Sequence, residues 1–327
     1  MSQAQTVLVT GAGGFIGSHL TEELVRRGHR VRALIHYNSA GRKGWLEESA
    51  LRDQVDFVSG NVRDYDSVLR AAQGCSQVFH LAALVGIPYS YVSPHAYLRT
   101  NLDGAYNILE VARVGGIENV ILTSTSEIYG TAKELPMSEQ HPIDCQSPYA
   151  ASKASADQLG LSYSRSFGVP VTIVRPFNTY GPRQSLRAVI PVIVAQLLQG
   201  DGLVQLGNIY PQRDFTFIDD TVRGFLAAAG VPEFAGQVVH IGSGAAISIE
   251  ALALRVGELI GRRIRFSEDT TRIRPAASEV DRLQCDSRKL QAATGWRASV
   301  SLDDGLRRTI AWYQTRLERV RPGEYVI

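Results

Sequence analysis

The chain has 327 residues, enough for a large buried core and for two lobes at roughly 150 residues per domain. With 44% hydrophobic residues, 20% charged residues and a net charge of +2, its composition points to neither nucleic acid nor a membrane surface as a partner. Cys75, Cys145 and Cys285 are odd in number and far apart, which argues against a disulfide framework or a cysteine metal cluster and fits a reducing cytoplasm.

The run Thr6-Val7-Leu8-Val9-Thr10 reads as a strand. Gly11, Gly13, Gly14 and Gly17 then break the apolar pattern, so the start of the chain does not read as a signal peptide, and no later segment is long and apolar enough to span a bilayer. Residues 16–27 read as a helix ending at Gly28-His29. Residues 31–35, 55–59, 77–81, 120–123 and 171–175 read as further strands with helical segments between them. Continuous apolar strands alternating with helices predict an α/β fold, a doubly wound parallel sheet covered on both faces.

The rhythm changes after Pro176. Residues 178–214 are rich in Gly, Pro and Arg around one helical run, 188–199. Residues 215–218 and 238–241 read as strands returning to the sheet edge. From about Ser248, amphipathic helices accompany a short strand near residues 263–266. The expected division is a sheet domain over 1–177 plus about 215–241. A smaller mixed α/β lobe, from 178–214 and 242–327, closes over the carboxyl edge of the sheet.

Three motifs carry chemistry. The first is the turn Gly11-Ala12-Gly13-Gly14-Phe15-Ile16-Gly17, directly after a strand and opening a helix. Glycines there allow a tight turn and let a pyrophosphate approach the backbone at the positive end of the helix. This predicts a dinucleotide held by Gly11, Gly14, Phe15, Ile16 and Gly17; the bland alternative is a glycine turn without a ligand. NAD sites usually place a carboxylate at the end of the second strand, about 20 residues on. Here that stretch is Ile35-His36-Tyr37-Asn38, with Arg42 and Lys43 close behind, so NAD and NADP stay open. Asn61, next to Val62, reads equally as an adenine contact or a turn residue.

The second motif, His80-Leu81-Ala82-Ala83, offers small residues against which a cofactor can lie, or which a helix needs to pack on the sheet. Asn101 reads as a buried amide orienting the active-site loop, or as an ordinary helix residue. The third pairs Thr123-Ser124-Thr125-Ser126-Glu127-Ile128-Tyr129-Gly130 with Tyr149-Ala-Ala-Ser-Lys153. A tyrosine four residues before a lysine shares its helix face. The ammonium then favours phenolate over phenol and lowers a pKa that starts near ~10. Such a phenolate can take a proton from a substrate hydroxyl as hydride leaves the same carbon. Glu127 is a second proton-transfer group that plain alcohol oxidation does not need.

Together these segments resemble the extended short-chain dehydrogenase/reductases of the NAD-dependent epimerase/dehydratase family, over nearly the whole chain. The matching stretches are 11–17, 80–83, 124–130, 149–153, 175–182 (Arg-Pro-Phe-Asn-Thr-Tyr-Gly-Pro) and 213–215 (Arg-Asp-Phe). Within the family, Thr-Ser-Glu before Ile-Tyr-Gly is similar to the nucleotide-sugar 4,6-dehydratases, above all those of the legionaminic acid type, which act on a nucleotide-linked N-acetylglucosamine. The resemblance implies a Rossmann fold and a cofactor, NAD or alternatively NADP, that is tightly bound and recycled. His36, Asn38, Arg42, Asn61, Val62, Leu81, Ala82, Ala83, Thr123, Tyr149 and Lys153 would complete its site.

It further implies a closed redox cycle. Tyr149, helped by Lys153 and Thr125, deprotonates the sugar 4-hydroxyl; Glu127 takes the C5 proton while the 6-hydroxyl leaves as water; hydride returns to C6. Glucose-type dehydratases have an aspartate where this chain has Ser126, so Glu127 itself is expected to pass the proton to the leaving oxygen. Asn178, Arg213 and Arg274 are expected on the diphosphate, Arg187, Ala188 and Val189 along the nucleobase, and Gly86, Tyr89 and Ser90 around the sugar. A surface ion pair is the plain alternative for each arginine.

The competing reactions are a 4-epimerase, in which Glu127 would be idle, and a nucleotide-uronate decarboxylase, whose tyrosine flank differs from Ser147-Pro-Tyr-Ala-Ala-Ser. A redox-sensing protein without catalysis is the reading from another class. The helical stretches 97–114 and 150–167 resemble those that pair in family dimers, so a cytoplasmic homodimer is expected, with a nucleotide-diphosphate sugar as substrate and neither nucleic acid nor membrane as a partner.

Overall fold

In the computed structural model, which describes residues 5–319, the first apolar run forms β1 (Thr6–Thr10). Val7, Leu8 and Val9 are wholly buried in succession. A parallel strand covered on both faces needs apolar side chains at consecutive rather than alternate positions.

The chain continues through α1 (Phe15–Arg26), β2 (Arg30–His36), β3 (Val55–Gly60), α2 (Tyr65–Ala72), β4 (Gln77–His80), α3 (Ile87–Val92) and α4 (Pro94–Tyr97). Then come α5 (Asp103–Gly115), β5 (Asn119–Thr123), α6 (Pro148–Phe167), β6 (Val171–Pro176), β7 (Asn178–Tyr180), α7 (Val189–Gln199) and β8 (Leu203–Leu206). The last elements are β9 (Gln212–Phe217), α8 (Ile218–Ala229), β10 (Gln237–Ile241), β11 (Ala246–Ser248), α9 (Ile249–Ile260), β12 (Arg265–Glu268), α10 (Arg288–Thr294) and α11 (Leu302–Gln314).

Seven strands form one parallel sheet in the order β3-β2-β1-β4-β5-β6-β10. The order reverses between β1 and β4, and in a doubly wound sheet the crevice outside the carboxyl ends at such a point is where ligands bind. The expected fold class is therefore the observed one.

One strand assignment needs correction. β10 does return to the sheet edge beside β6, but β9 does not; it pairs with β7 and β11 in a separate three-stranded sheet, while β8 and β12 form a third, two-stranded one. The polar content of β9 accounts for this. Asp214 is fully buried and its carboxylate accepts the backbone N–H groups of Ser243, Gly244 and Cys285. Those donors lie between β10 and β11 and just before α10, whereas the edge beside β6 is filled by the apolar Val239 and Ile241 of β10.

One hydrophobic cluster runs from β1, α1 and β2 through α7 and α8 to α9 and α11, so the segments expected as separate lobes share a core. A second fills the opposite face of the sheet under α2, α5 and α6. Among the described residues no helix is long and apolar enough to cross a membrane, and no group of three or more His, Cys, Asp or Glu is placed to hold a metal.

Candidate active site

Two cavities of about 790 Å³ and 530 Å³ lie at the carboxyl edge of the sheet. They share Phe15, Val85, Thr125, Tyr149 and Thr179 as walls, so they meet at the hydroxyls of Thr125 and Tyr149.

The larger cavity is built on the glycine turn. Gly11 has φ +68°, and a Cβ there would stand 2.7 Å from the Ala82 nitrogen. A Cβ on Gly17 would stand 2.2 Å from the Gly11 oxygen. Gly14 caps α1 and donates its N–H to the Gly11 oxygen at 3.0 Å, so the free N–H groups of the first helical turn open toward the cavity. Phe15, Ile16 and Gly17 line it, with Leu81, Ala82, Ala83 and Val62.

At the far end the loop after β2 folds back on the turn: Trp45 donates its backbone N–H to the Gly13 oxygen at 3.0 Å. Asn38 closes this loop from within, accepting the Arg42 N–H and donating to the oxygens of His36 and Arg42. His36, Asn38, Arg42, Lys43 and Arg63 line that end, and no Asp or Glu does. Asn61 is a turn residue, its carboxamide oxygen accepting from Arg63 N and Nε, and it also lines the cavity. Thr123 Oγ1 is buried at the cavity wall with no hydrogen-bond partner among the described residues. A cradle that excludes any Cβ, a helix N-terminus and an orphaned hydroxyl together fit a dinucleotide.

α6 supplies the pair Tyr149 and Lys153. Ser147 caps the helix by accepting the Ala150 N–H at 3.1 Å, Pro148 occupies the first turn, and Gly168 ends it at φ +69°. Tyr149 and Lys153 thereby stand one turn apart on a buried face. Burial pushes the Tyr149 phenol above its ordinary range; hydrogen bonding by Thr125 opposes this, while Glu127, Tyr97 and Asp157 add to it. Burial brings Lys153 down to about 8, with Asp157 acting against it. The expected lowering of the Tyr149 pKa by Lys153 is therefore not present in the protein alone: desolvation dominates, and Thr125 rather than Lys153 is the group that opposes it.

The smaller cavity holds Thr125, Glu127 and Tyr149 at its base. Glu127 sits in the short turn Ser126–Tyr129, capped by Thr125 Oγ1, which accepts the Glu127 N–H at 3.2 Å. Gly86, Tyr89, Asn178, Arg187, Ala188, Val189, Arg213 and Arg274 all line this cavity, as expected for substrate contacts. Asn178 Nδ2 is buried without a partner, a donor awaiting an acceptor. Arg274 lies 3.6 Å from the Glu127 carboxylate and 3.9 Å from Glu279, and Arg213 lies 3.5 Å from Glu279.

Two expected residues are absent from both walls. Ser126 is buried and lines neither cavity. Ser90 is wholly buried, its hydroxyl donating to the Ile87 oxygen at 2.6 Å within α3. Both follow from local turn geometry, which aims the flanking Glu127 and Tyr89 inward instead. Sequence reasoning missed Glu279, Gln184 and Arg272 on the substrate side; two arginines converging without a counter-charge were the signal that could have pointed to Glu279. Asn101 proved to be the orienting amide, accepting Leu84 N at 2.9 Å and donating to Leu84 O and Ser152 Oγ.

A family model described as GDP-mannose 4,6 dehydratase matches residues 8–309. A dTDP-glucose 4,6-dehydratase of Streptomyces griseus is 33% identical over 94% of this chain and 93% of its own length. A UDP-N-acetyl-alpha-D-glucosaminuronate decarboxylase of Bacillus cytotoxicus is also 33% identical, over 94% and 97% of the two chains. Among solved structures, the UDP-glucuronic acid 4-epimerase of Bacillus cereus in complex with UDP-glucuronic acid and NAD superposes with a TM-score of 0.86, at 28% identity, covering 95% of this chain and 99% of that one.

Proposed function

The chain belongs to the NAD-dependent epimerase/dehydratase family, and on that premise we propose that it is a nucleotide-sugar 4,6-dehydratase using NAD. Its substrate is taken to be UDP-N-acetylglucosamine, as in the legionaminic acid type. One observation carries the reading: the two cavities meet at Thr125 and Tyr149, and the Glu127 carboxylate stands on the substrate side of that junction.

When bound, the oxidised nicotinamide supplies a hydride acceptor for C4 and a hydride donor for C6, so it is recycled within each turnover. The side chains move the protons. Tyr149 takes the proton of the 4-hydroxyl, hydrogen-bonded by Thr125, and an ammonium at Lys153, one helical turn away, would favour the phenolate that burial opposes. The 4-ketone acidifies the C5 proton, which Glu127 removes. Glu127, now protonated, passes the proton to the departing 6-hydroxyl, because Ser126 lines neither cavity. As hydride returns to C6, C5 takes up a proton equivalent to the one Tyr149 releases, so Tyr149 and Glu127 end each turnover as they began. Arg213, Arg274 and Asn178 hold the diphosphate. The Arg187-Ala188-Val189 segment lies along the nucleobase, and Gly86 with Tyr89 flanks the sugar.

A 4-epimerase is the second reading, favoured by the ion pair of Glu127 with Arg274, which would keep the carboxylate out of the chemistry. The decisive experiment is incubation with UDP-N-acetylglucosamine and a panel of nucleotide sugars, followed by mass analysis. A 4-keto product lighter by one water, with no net consumption of NAD, is the expected result. A product of unchanged mass would establish epimerisation, and carbon dioxide from a uronate would establish decarboxylation; either overturns the dehydratase. We also propose a cytoplasmic homodimer paired through α5 and α6, whose outer surfaces expose Tyr106, Val114 and Phe167. A monomeric mass in solution would contradict the pairing.

A further inference from the structure

A fully buried carboxylate lies beneath the active site, and no step of the chemistry uses it. Asp157 follows Lys153 by one turn of α6, as Lys153 follows Tyr149, so the three form one stripe along the buried helix face. Its Oδ2 accepts Ser124 Oγ at 2.7 Å, Arg175 Nε at 3.0 Å and Arg175 Nη2 at 2.9 Å. Its Oδ1 has no hydrogen-bond partner.

The groups facing this stripe come from every neighbouring element. His80 on β4 pairs with Thr10 Oγ1 and is held neutral by burial, at about 3. Arg175 on β6 donates to Asp157 and to the Tyr129 phenol, which in turn meets His240 on β10 at 2.6 Å. Cys145 approaches from the loop before α6, with a thiol that burial raises to about 11, and Tyr149 lies on α6 itself. Of the two buried cations, Arg175 is paired directly with the Asp157 carboxylate, and Lys153 stands one helical turn from it on the same buried face. A buried ammonium without a counter-charge surrenders its proton rather than pay the cost of desolvation.

We infer that Asp157 is the counter-charge that keeps Lys153 an ammonium ion, a positioning residue that acts through Lys153 and never touches the substrate. This rests on reading Tyr149 and Lys153 as the proton-transfer pair. Burial pushes the Asp157 carboxyl above its ordinary range, and the Arg175 guanidinium, the Ser124 hydroxyl and the Lys153 ammonium act against that burial to favour the charged form. Its charge acts on Lys153 one helical turn away. Burial already brings Lys153 to about 8 with that charge present, so its loss would move the amine further toward its neutral form.

The test follows the Lys153 amine directly, by NMR of protein labelled with 15N-lysine, the resonance assigned by its absence in Lys153→Met. In Asp157→Asn the Lys153 midpoint is expected to fall by about one pH unit or more, with the alkaline limb of turnover moving down alongside it. Asp157→Glu, which keeps the charge, is expected to restore both. A midpoint unchanged in Asp157→Asn overturns the inference even if stability drops, since a purely structural carboxylate would affect only the melt. If that variant does not fold, Asp157→Asn with Arg175→Met removes the unpaired guanidinium, and the same shift or its absence decides. A shifted midpoint in a protein that turns over no nucleotide sugar supports the role of Asp157 and overturns the dehydratase reading.

Discussion

Replacing Gly17 by alanine tests whether the glycine turn is a dinucleotide cradle. The added Cβ would lie 2.2 Å from the Gly11 oxygen and 2.8 Å from the Gly11 carbon, where ordinary contact begins at 3.4 Å. The atoms it meets are backbone, so relief requires the turn and the start of α1 to separate by about 1 Å, a misplacement of the size that can cost ~100-fold in positioning. Overpacking of this kind costs about 1–3 kcal/mol. If the whole of it falls on the bound state, the dinucleotide Kd rises about 5- to 150-fold, since 1.4 kcal/mol is tenfold. Titration of NAD by calorimetry, with a thermal melt on the same sample, measures both parts. Gly115→Ala, at the end of α5 with nothing within 4 Å of the added carbon, is the matched control and is expected to bind NAD as the parent does. A Gly17→Ala protein that melts normally and binds NAD within twofold of the parent would refute the cradle.

Three further outcomes are expected. Glu127→Gln should oxidise C4 slowly yet lose water elimination by about 10²–10⁴-fold, seen as reduced cofactor accumulating without dehydrated product; undiminished dehydration would remove Glu127 from the mechanism. Tyr129→Phe deprives Arg175 Nη1 and His240 Nε2 of their 2.6 Å partner in the interior, and should cost about 1–3 kcal/mol in a denaturant melt; an unshifted midpoint would show the network to be slack. Stability should also fall on acidification through His80 and His240. Burial holds both at about 3 against 6.5 in the unfolded chain, so below 6.5 only the unfolded state takes up these protons. Their stabilisation is complete above pH 6.5 and is lost as pH drops toward 3, at about 1.4 kcal/mol per pH unit for each group. Proton uptake on unfolding at pH 5 that is unaltered in a His240→Gln variant would contradict the assignment.

Much of the site was legible in the chain because its signals are short-range. Apolar residues at successive positions in β1, a glycine turn between strand and helix, and a tyrosine and lysine four apart all express backbone geometry within a few residues. Those patterns also placed Glu127 beside Thr125, since both belong to one short turn. The failures have the opposite character. β9 could not be told from a returning edge strand, because strand pattern does not name the partner; the backbone donors that Asp214 needs did. Ser90 and Ser126 lie beside residues that do line the cavity, but one residue along a helix or a turn reverses which way a hydroxyl points.

By itself, then, the sequence determined the doubly wound sheet, the cofactor turn and the paired phenol and amine, because each is written in neighbouring residues. Only the tertiary structure decided that Arg274 meets Glu127, that Glu279 joins Arg213 and Arg274, and that Asp157 pairs with Arg175 one helical turn from Lys153. Those relations join residues from distant parts of the chain, and their energies depend on exclusion from water, which no local pattern records.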